Sequence, residues 1–148
     1  MDASFLQNFM RAAQKITHAE RCLVVDVNLN IVEVVNVDES TLQSPEFIDF
    51  AMQCLREAWE TGDPILTNNV VTNPSDAPTT NTNFANLRVI VAMPIAGHGV
   101  IYLDQHIRNG VMPKQMIDRL MSLAGYLMSH DMEGLSPAEM AQTYQQLR

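Results

Sequence analysis

The sequence is poor in cysteine, with only Cys22 and Cys54 among 148 residues. That is too few for a disulfide framework, so stability has to come from a packed interior. Basic residues are scarce as well: nine Lys plus Arg stand against 17 acids, for a formal charge of -8. Such a balance repels phosphate backbones and argues against nucleic acid or an anionic membrane as a partner. No run approaches the roughly 20 apolar residues that a bilayer requires. The opening Met1-Asp2-Ala3-Ser4 has neither a basic n-region nor a small-residue cleavage pattern, so no signal peptide is expected. There is no Gly-rich phosphate loop, no Gly-x-Ser-x-Gly elbow, and no pairing of a nucleophile with a base. The expectation from these absences is a cytoplasmic, non-enzymatic domain.

What the chain does have is hydrophobic residue, 47% of it, against six glycines and seven prolines. This supports one well-packed domain and is too little for two. The charge is unevenly placed. Residues 22–87 carry ten acids and one base, Arg56, while the remainder is close to neutral. The plain reading of that stretch is a solvated acidic face that keeps the protein soluble.

Hydrophobic periodicity orders the elements. Phe5, Phe9, Ala12, Ala13 and Ile16 make a helical stripe over 4–19, with Ser4 and Gln7 spaced as a capping box. The β-branched runs 22–27 and 31–37, joined by Asn28-Leu29-Asn30, predict a hairpin. A second helix spans about 45–61, with Ser44 as N-cap, Pro45 in the first helical position and Gly62 as terminator. A short strand follows at 65–67 and runs toward Asn68-Asn69-Val70-Val71. Residues 72–86 lose all periodicity and form an unusually long connection holding one large apolar residue, Phe84; it reads as a lid or as a surface excursion. Strand signals resume at 87–93, with Pro94 expected to mark a bulge or the strand's end. Gly97-His98-Gly99 then turns into 100–104. A broad apolar face over 113–130 predicts a long helix able to serve both the sheet and a partner helix. Ser136-Pro137-Ala138-Glu139 opens a short final helix. The layout is α+β with antiparallel pairing. Residues 1–131 form the domain, and 132–148 a C-terminal extension with a short helix.

This order resembles the GAF domain family. The resemblance rests on Thr61-Gly-Asp-Pro-Ile-Leu-Thr67 after a central helix, on Arg88-Val-Ile-Val-Ala-Met-Pro-Ile95, and on Gly99-Val-Ile-Tyr-Leu-Asp104 followed by a loop and a Leu- and Met-rich helix. It covers about residues 4–130. It implies a central antiparallel sheet of five to six strands with helices packed on one face, a PAS-related architecture. It also implies a ligand pocket on the other face, under the loop before the fourth strand. Members of the family sense small molecules or act only as dimerisation modules, often through the first and last helices.

The specialised versions of the family fit poorly. Neither cysteine has a histidine neighbour of the kind a bilin site uses, and residues 72–86 contain no cysteine for sulfoxide chemistry. Lysine occurs only at Lys15 and Lys114, so the residue set of cyclic-nucleotide binders cannot be threaded. His18, His98, His106 and His130 are scattered; Asp104 and His106 share strand parity, but two residues do not make a metal site. No cofactor is named by the sequence. The remaining binding candidates are Thr67, Asn68, Asn69, Phe84, Arg88, Tyr102, Asp104 and His106, which could orient a small polar ligand, with Arg88 favouring a carboxylate or phosphate. The same residues have a structural alternative, in which Asn68 and Asn69 cap turns, Arg88 neutralises a neighbouring acid and Tyr102 is core. The expected function is a sensory or regulatory domain that binds a small molecule and signals through a homodimer, formed by the first and long C-terminal helices, or through an output protein. The alternative is a ligand-free dimerisation or interaction module of the same fold.

Overall fold

The computed structural model describes residues 4–67, 88–106 and 112–147. The first helix, α1 (Ser4–Thr17), buries Phe5, Phe9, Ala12 and Ala13 of the predicted stripe with Leu6 and Met10 beside them, while Ile16 is half-buried against the same core. It stops where His18 takes a left-handed φ of 62°. Thr17 adds a local stop by donating its hydroxyl to the Ala13 carbonyl at 2.8 Å.

The hairpin follows as β1 (Arg21–Asp26) and β2 (Ile31–Val35). Its turn is organised by the Asp26 carboxylate, which accepts from the Asn28 and Asn30 amides at 2.9 and 3.0 Å. Glu33 of β2 accepts from Gln7 at 3.0 Å and from Arg11, fastening α1 to the edge strand. A five-residue helix not expected from the sequence, α2 (Glu39–Gln43), is capped by the Asp38 carboxylate on the Thr41 amide. Next comes α3 (Pro45–Thr61), with Pro45 at its start and Gly62 ending it in the left-handed conformation at φ 74°.

The remaining elements are β3 (Ile65–Thr67), β4 (Arg88–Ile95), β5 (Gly99–His106), α4 (Lys114–Ser129) and α5 (Pro137–Gln146). The five strands form one antiparallel sheet in the order β2-β1-β5-β4-β3. Pro94 produces neither a bulge nor a strand end: it pairs with Val100 in unbroken register, and β4 continues to Ile95. The pairing of β3 with β4 covers only Ile90 to Ala92, so the missing N–H at Pro94 removes no hydrogen bond from it. The 72–86 connection and Phe84 lie outside the described residues.

Strand alternation splits the interior in two. Cys22, Val24, Val89, Val91, Met93, Ile101 and Leu103 face α1, α4 and α5. Leu23, Val25, Ile90, Ala92, Val100 and Tyr102 face α3, whose Ala51, Cys54, Leu55 and Ala58 complete that layer. The expected helices on one face are therefore the terminal ones, while α2 and α3 cover the opposite face. Residues such as Phe9, Leu120 and Leu123 are fully buried, each contributing about 2 kcal/mol by removal from water. The extension at 132–148 is tied in as well: Met140 and Tyr144 of α5 belong to the same core as α1 and α4.

Candidate functional site

The register of four strands brings Arg21, Asp104, Ile90 and Thr67 into one row at one end of the sheet. Direct partners in antiparallel strands point to the same face, and Ile90 fixes that face as the α3 side. Tyr102 lies two residues from Asp104 on β5 and shares it.

Three polar groups join there. The Arg21 guanidinium grips Asp104 at two points, Nε to Oδ1 at 2.8 Å and Nη2 to Oδ2 at 2.6 Å. The Tyr102 hydroxyl donates to Oδ2 of the same carboxylate at 2.6 Å. From α3, the Phe47 ring meets the Tyr102 ring edge-on with centroids 5.8 Å apart, and Arg21 lies 4.7 Å over the Phe47 ring centre. Asp104 has no solvent exposure, and the Arg21 side chain keeps 18%. Burial works against the charge of Arg21, yet the hydrogen bonds and the charge of Asp104 outweigh it and hold the guanidinium above its ordinary value. Burial, then the charge of Asp104 beside it, pushes the Tyr102 phenol well above its ordinary value, so it stays a neutral donor.

Of the expected binding residues, the structure brings Thr67, Tyr102 and Asp104 to this end of the α3 face. Arg88 and His106 are register partners of each other, two residues farther along β4 and β5. Asn68, Asn69 and Phe84 lie outside the described residues. Arg21 and Phe47 were not among the expected site residues. Nothing local marks Arg21 as a site residue, because its role depends on a pairing with a strand 83 positions away. Phe47 belongs to an apolar helical stripe, and only the docking of α3 shows that its ring covers a charge.

Both cysteines are free and buried. Burial pushes the Cys22 thiol up to about 12 and the Cys54 thiol up to about 11. Among the described residues no three His, Cys, Asp or Glu side chains converge as metal ligands. His98 instead packs against Phe5 with the two rings tilted at 60°, and contacts Glu133 at 3.0 Å. A separate cleft of 350 Å³ lies at the opposite end of the sheet, between Trp59, Pro94, Met121, Gly125 and Met128.

No family model matches the sequence, and no curated protein matches it. A solved structure does: the GAF domain/HD domain protein from Geobacter sulfurreducens aligns over 98% of this chain and 94% of that one, with a TM-score of 0.58 and 8% identity. The fold is GAF-like. The GAF-like frame accounts for the five-stranded sheet with terminal helices on one side, and at this identity the likeness speaks to the fold alone. Among the described residues, no helix of this GAF-like domain is long and apolar enough to cross a membrane.

Proposed function

We propose that this GAF-like domain is a non-enzymatic regulatory module of the cytoplasm. It binds a small molecule at the Arg21–Asp104–Tyr102 end of the sheet. The terminal helices pass the change to a second copy or to an output protein. One observation carries this reading: an ion pair and a phenol sit in a layer that is otherwise apolar. A buried pair of this kind is weak evidence for stability, since well-packed apolar residues serve that purpose as well or better. Its directional groups suit the recognition of a polar ligand. Thr67, Asn68, Asn69, Phe84, Arg88 and His106 complete the proposed lining. The acidic 22–87 stretch supports the absence of nucleic acid and anionic membrane among the partners.

Thermal-shift screening of small acids, amino acids and nucleotides tests this. A ligand at 100 times its Kd adds about 2.7 kcal/mol of stability, a shift of several degrees for a chain of this size. Binding should be weakened in Arg21→Met relative to the parent protein. A flat screen, together with native mass spectrometry showing no co-purified molecule, would reject the ligand.

The second reading is a ligand-free dimerisation module. It is favoured by the fact that both oxygens of Asp104 are already engaged within the chain. Under this reading Met121→Glu or Met128→Glu on α4 abolishes assembly, and light scattering gives a monomer mass for either variant.

A further inference from the structure

The groove between α1 and α4 is filled by α5. Met140 and Tyr144 are its buried residues, and Arg119 of α4 fastens its far end. The Arg119 Nη2 donates to the carbonyls of Tyr144 at 2.9 Å and Leu147 at 2.8 Å, and the guanidinium lies 4.2 Å over the Tyr144 ring. These bonds satisfy carbonyls that a helix C-terminus otherwise leaves open. At its other end α5 starts itself: Ser136 and Glu139 make both bonds of a capping box, and Pro137 occupies the first turn. Every one of these interactions is either internal to α5 or made with α1 and α4. None requires the helix and its groove to belong to the same molecule.

The seating is also incomplete. A cleft of 620 Å³ stays open beside α5, lined by Lys15, Ile16, Met116, Ala141 and Gln142 among others. The connection to α4 is short and held in a costly conformation: Asp131, not a glycine, has φ 55° in the left-handed region. The turn closes through the Met132 amide on the Leu127 carbonyl at 2.8 Å. Beyond that bond the connection is held by Met132 and Leu135, which are only partly buried against the core, and by the part-exposed contact of Glu133 with His98. Pro137 keeps α4 and α5 from fusing into one helix, so an opened connection is an extended hinge. Its six residues, 131–136, reach about 20 Å when extended.

We infer that α5 is an exchangeable helix, and that in a dimer of this chain each α1–α4 groove receives α5 from the other copy. This rests on the homodimer part of the proposed function and names its mechanism. The docking contacts are the same in either arrangement, so concentration and the strained Asp131 turn set the balance. Charge allows the approach: these three helices carry Arg11, Lys15, Lys114 and Arg119 against Asp118 and Glu139, while the acidic excess lies in residues 22–87.

Two full-length single variants test it, Lys15→Cys and Gln142→Cys, both exposed positions on the same cleft. The native cysteines are buried and do not compete. The variants are mixed, concentrated to millimolar, diluted and treated with a short bismaleimide. Exchange places the two new thiols across one cleft in every mixed dimer, so a covalent heterodimer forms from up to about half of the dimers. Neither variant alone gives it. In an Asp131→Gly background, where the closed turn is unstrained, the yield should fall several-fold. A dimer mass by light scattering without heterodimer overturns exchange and leaves the dimer standing. A monomer mass at millimolar concentration overturns both.

Discussion

Arg21 and Asp104 are direct register partners on β1 and β5, and a two-point fork joins them across the strands. The carboxylate is fully buried while the guanidinium reaches solvent at one edge, so the two halves are not equivalent. Arg21→Met should leave a buried carboxylate without its cation and cost about 3–5 kcal/mol. Asp104→Leu should cost less, because the stranded guanidinium can still be hydrated. The Arg21→Met/Asp104→Leu double variant should lie nearer the parent than the sum of the two. Urea denaturation of the four proteins measures this, and strict additivity would show that the pair does not act as a unit.

Two glycines should respond in opposite directions. A Cβ on Gly99 would stand 2.0 Å from the Val25 carbonyl oxygen, at a φ of 150°. Gly99→Ala should therefore destabilise by more than about 4 kcal/mol or prevent folding, because the backbone of β1 has nowhere to move. A Cβ on Gly125, inside α4, meets nothing within 4 Å. Gly125→Ala should stabilise by about 1 kcal/mol through helix propensity. Melting temperatures of the two variants decide both cases.

Alkaline pH should weaken the fold. Burial pushes the Cys22 thiol from 9.0 up to about 12, with the charges of Asp104 and Glu33 adding to it, and Cys54 rises to about 11. A group raised in this way keeps its proton in the folded chain after the unfolded chain has released it. Its stabilising effect is complete below the unfolded value and is lost as pH climbs toward the folded one, here from 9.0 upward. Each such group steepens the decline by about 1.4 kcal/mol per pH unit. Cys22→Val should flatten it by one group's share, read from urea midpoints between about pH 8 and 11.

The capping box of α5 makes a local prediction. Ser136→Ala removes the acceptor for the Glu139 amide and should cost that helix about 1 kcal/mol. Hydrogen exchange should show faster amides in 138–146, with β4 and β5 unchanged. A uniform acceleration across the chain would mean that α5 opens only with the whole domain.

Local chemistry made much of this architecture readable. Pro45 and Gly62 bracket α3 because one lacks an N–H where none is needed and the other tolerates positive φ. Tyr102 and Asp104 lie two residues apart on β5 and so share a strand face by simple alternation. The five-residue α2 escaped because it is too short to show a period and has no fully buried residue, only Leu42 packing partly against the α3 layer. The breadth of the α4 stripe suggested a partner helix, and α5 of the same chain occupies part of that surface. Arg21 and Phe47 escaped for a different reason. Their roles come from strand register and helix docking, which distant parts of the chain settle together.

The pairing of β1 with β5 has a consequence for the order in which the protein can be built. β1 is an inner strand, flanked by β2 on one side and β5 on the other. On a ribosome the first hairpin emerges complete, yet roughly seventy further residues must follow before β5 can arrive to pair with it. Through that interval Cys22 to Val25, all fully buried in the finished domain, lie along an unpaired edge. The nascent chain is most vulnerable to pairing with the wrong neighbour while its first hairpin waits for its last strand.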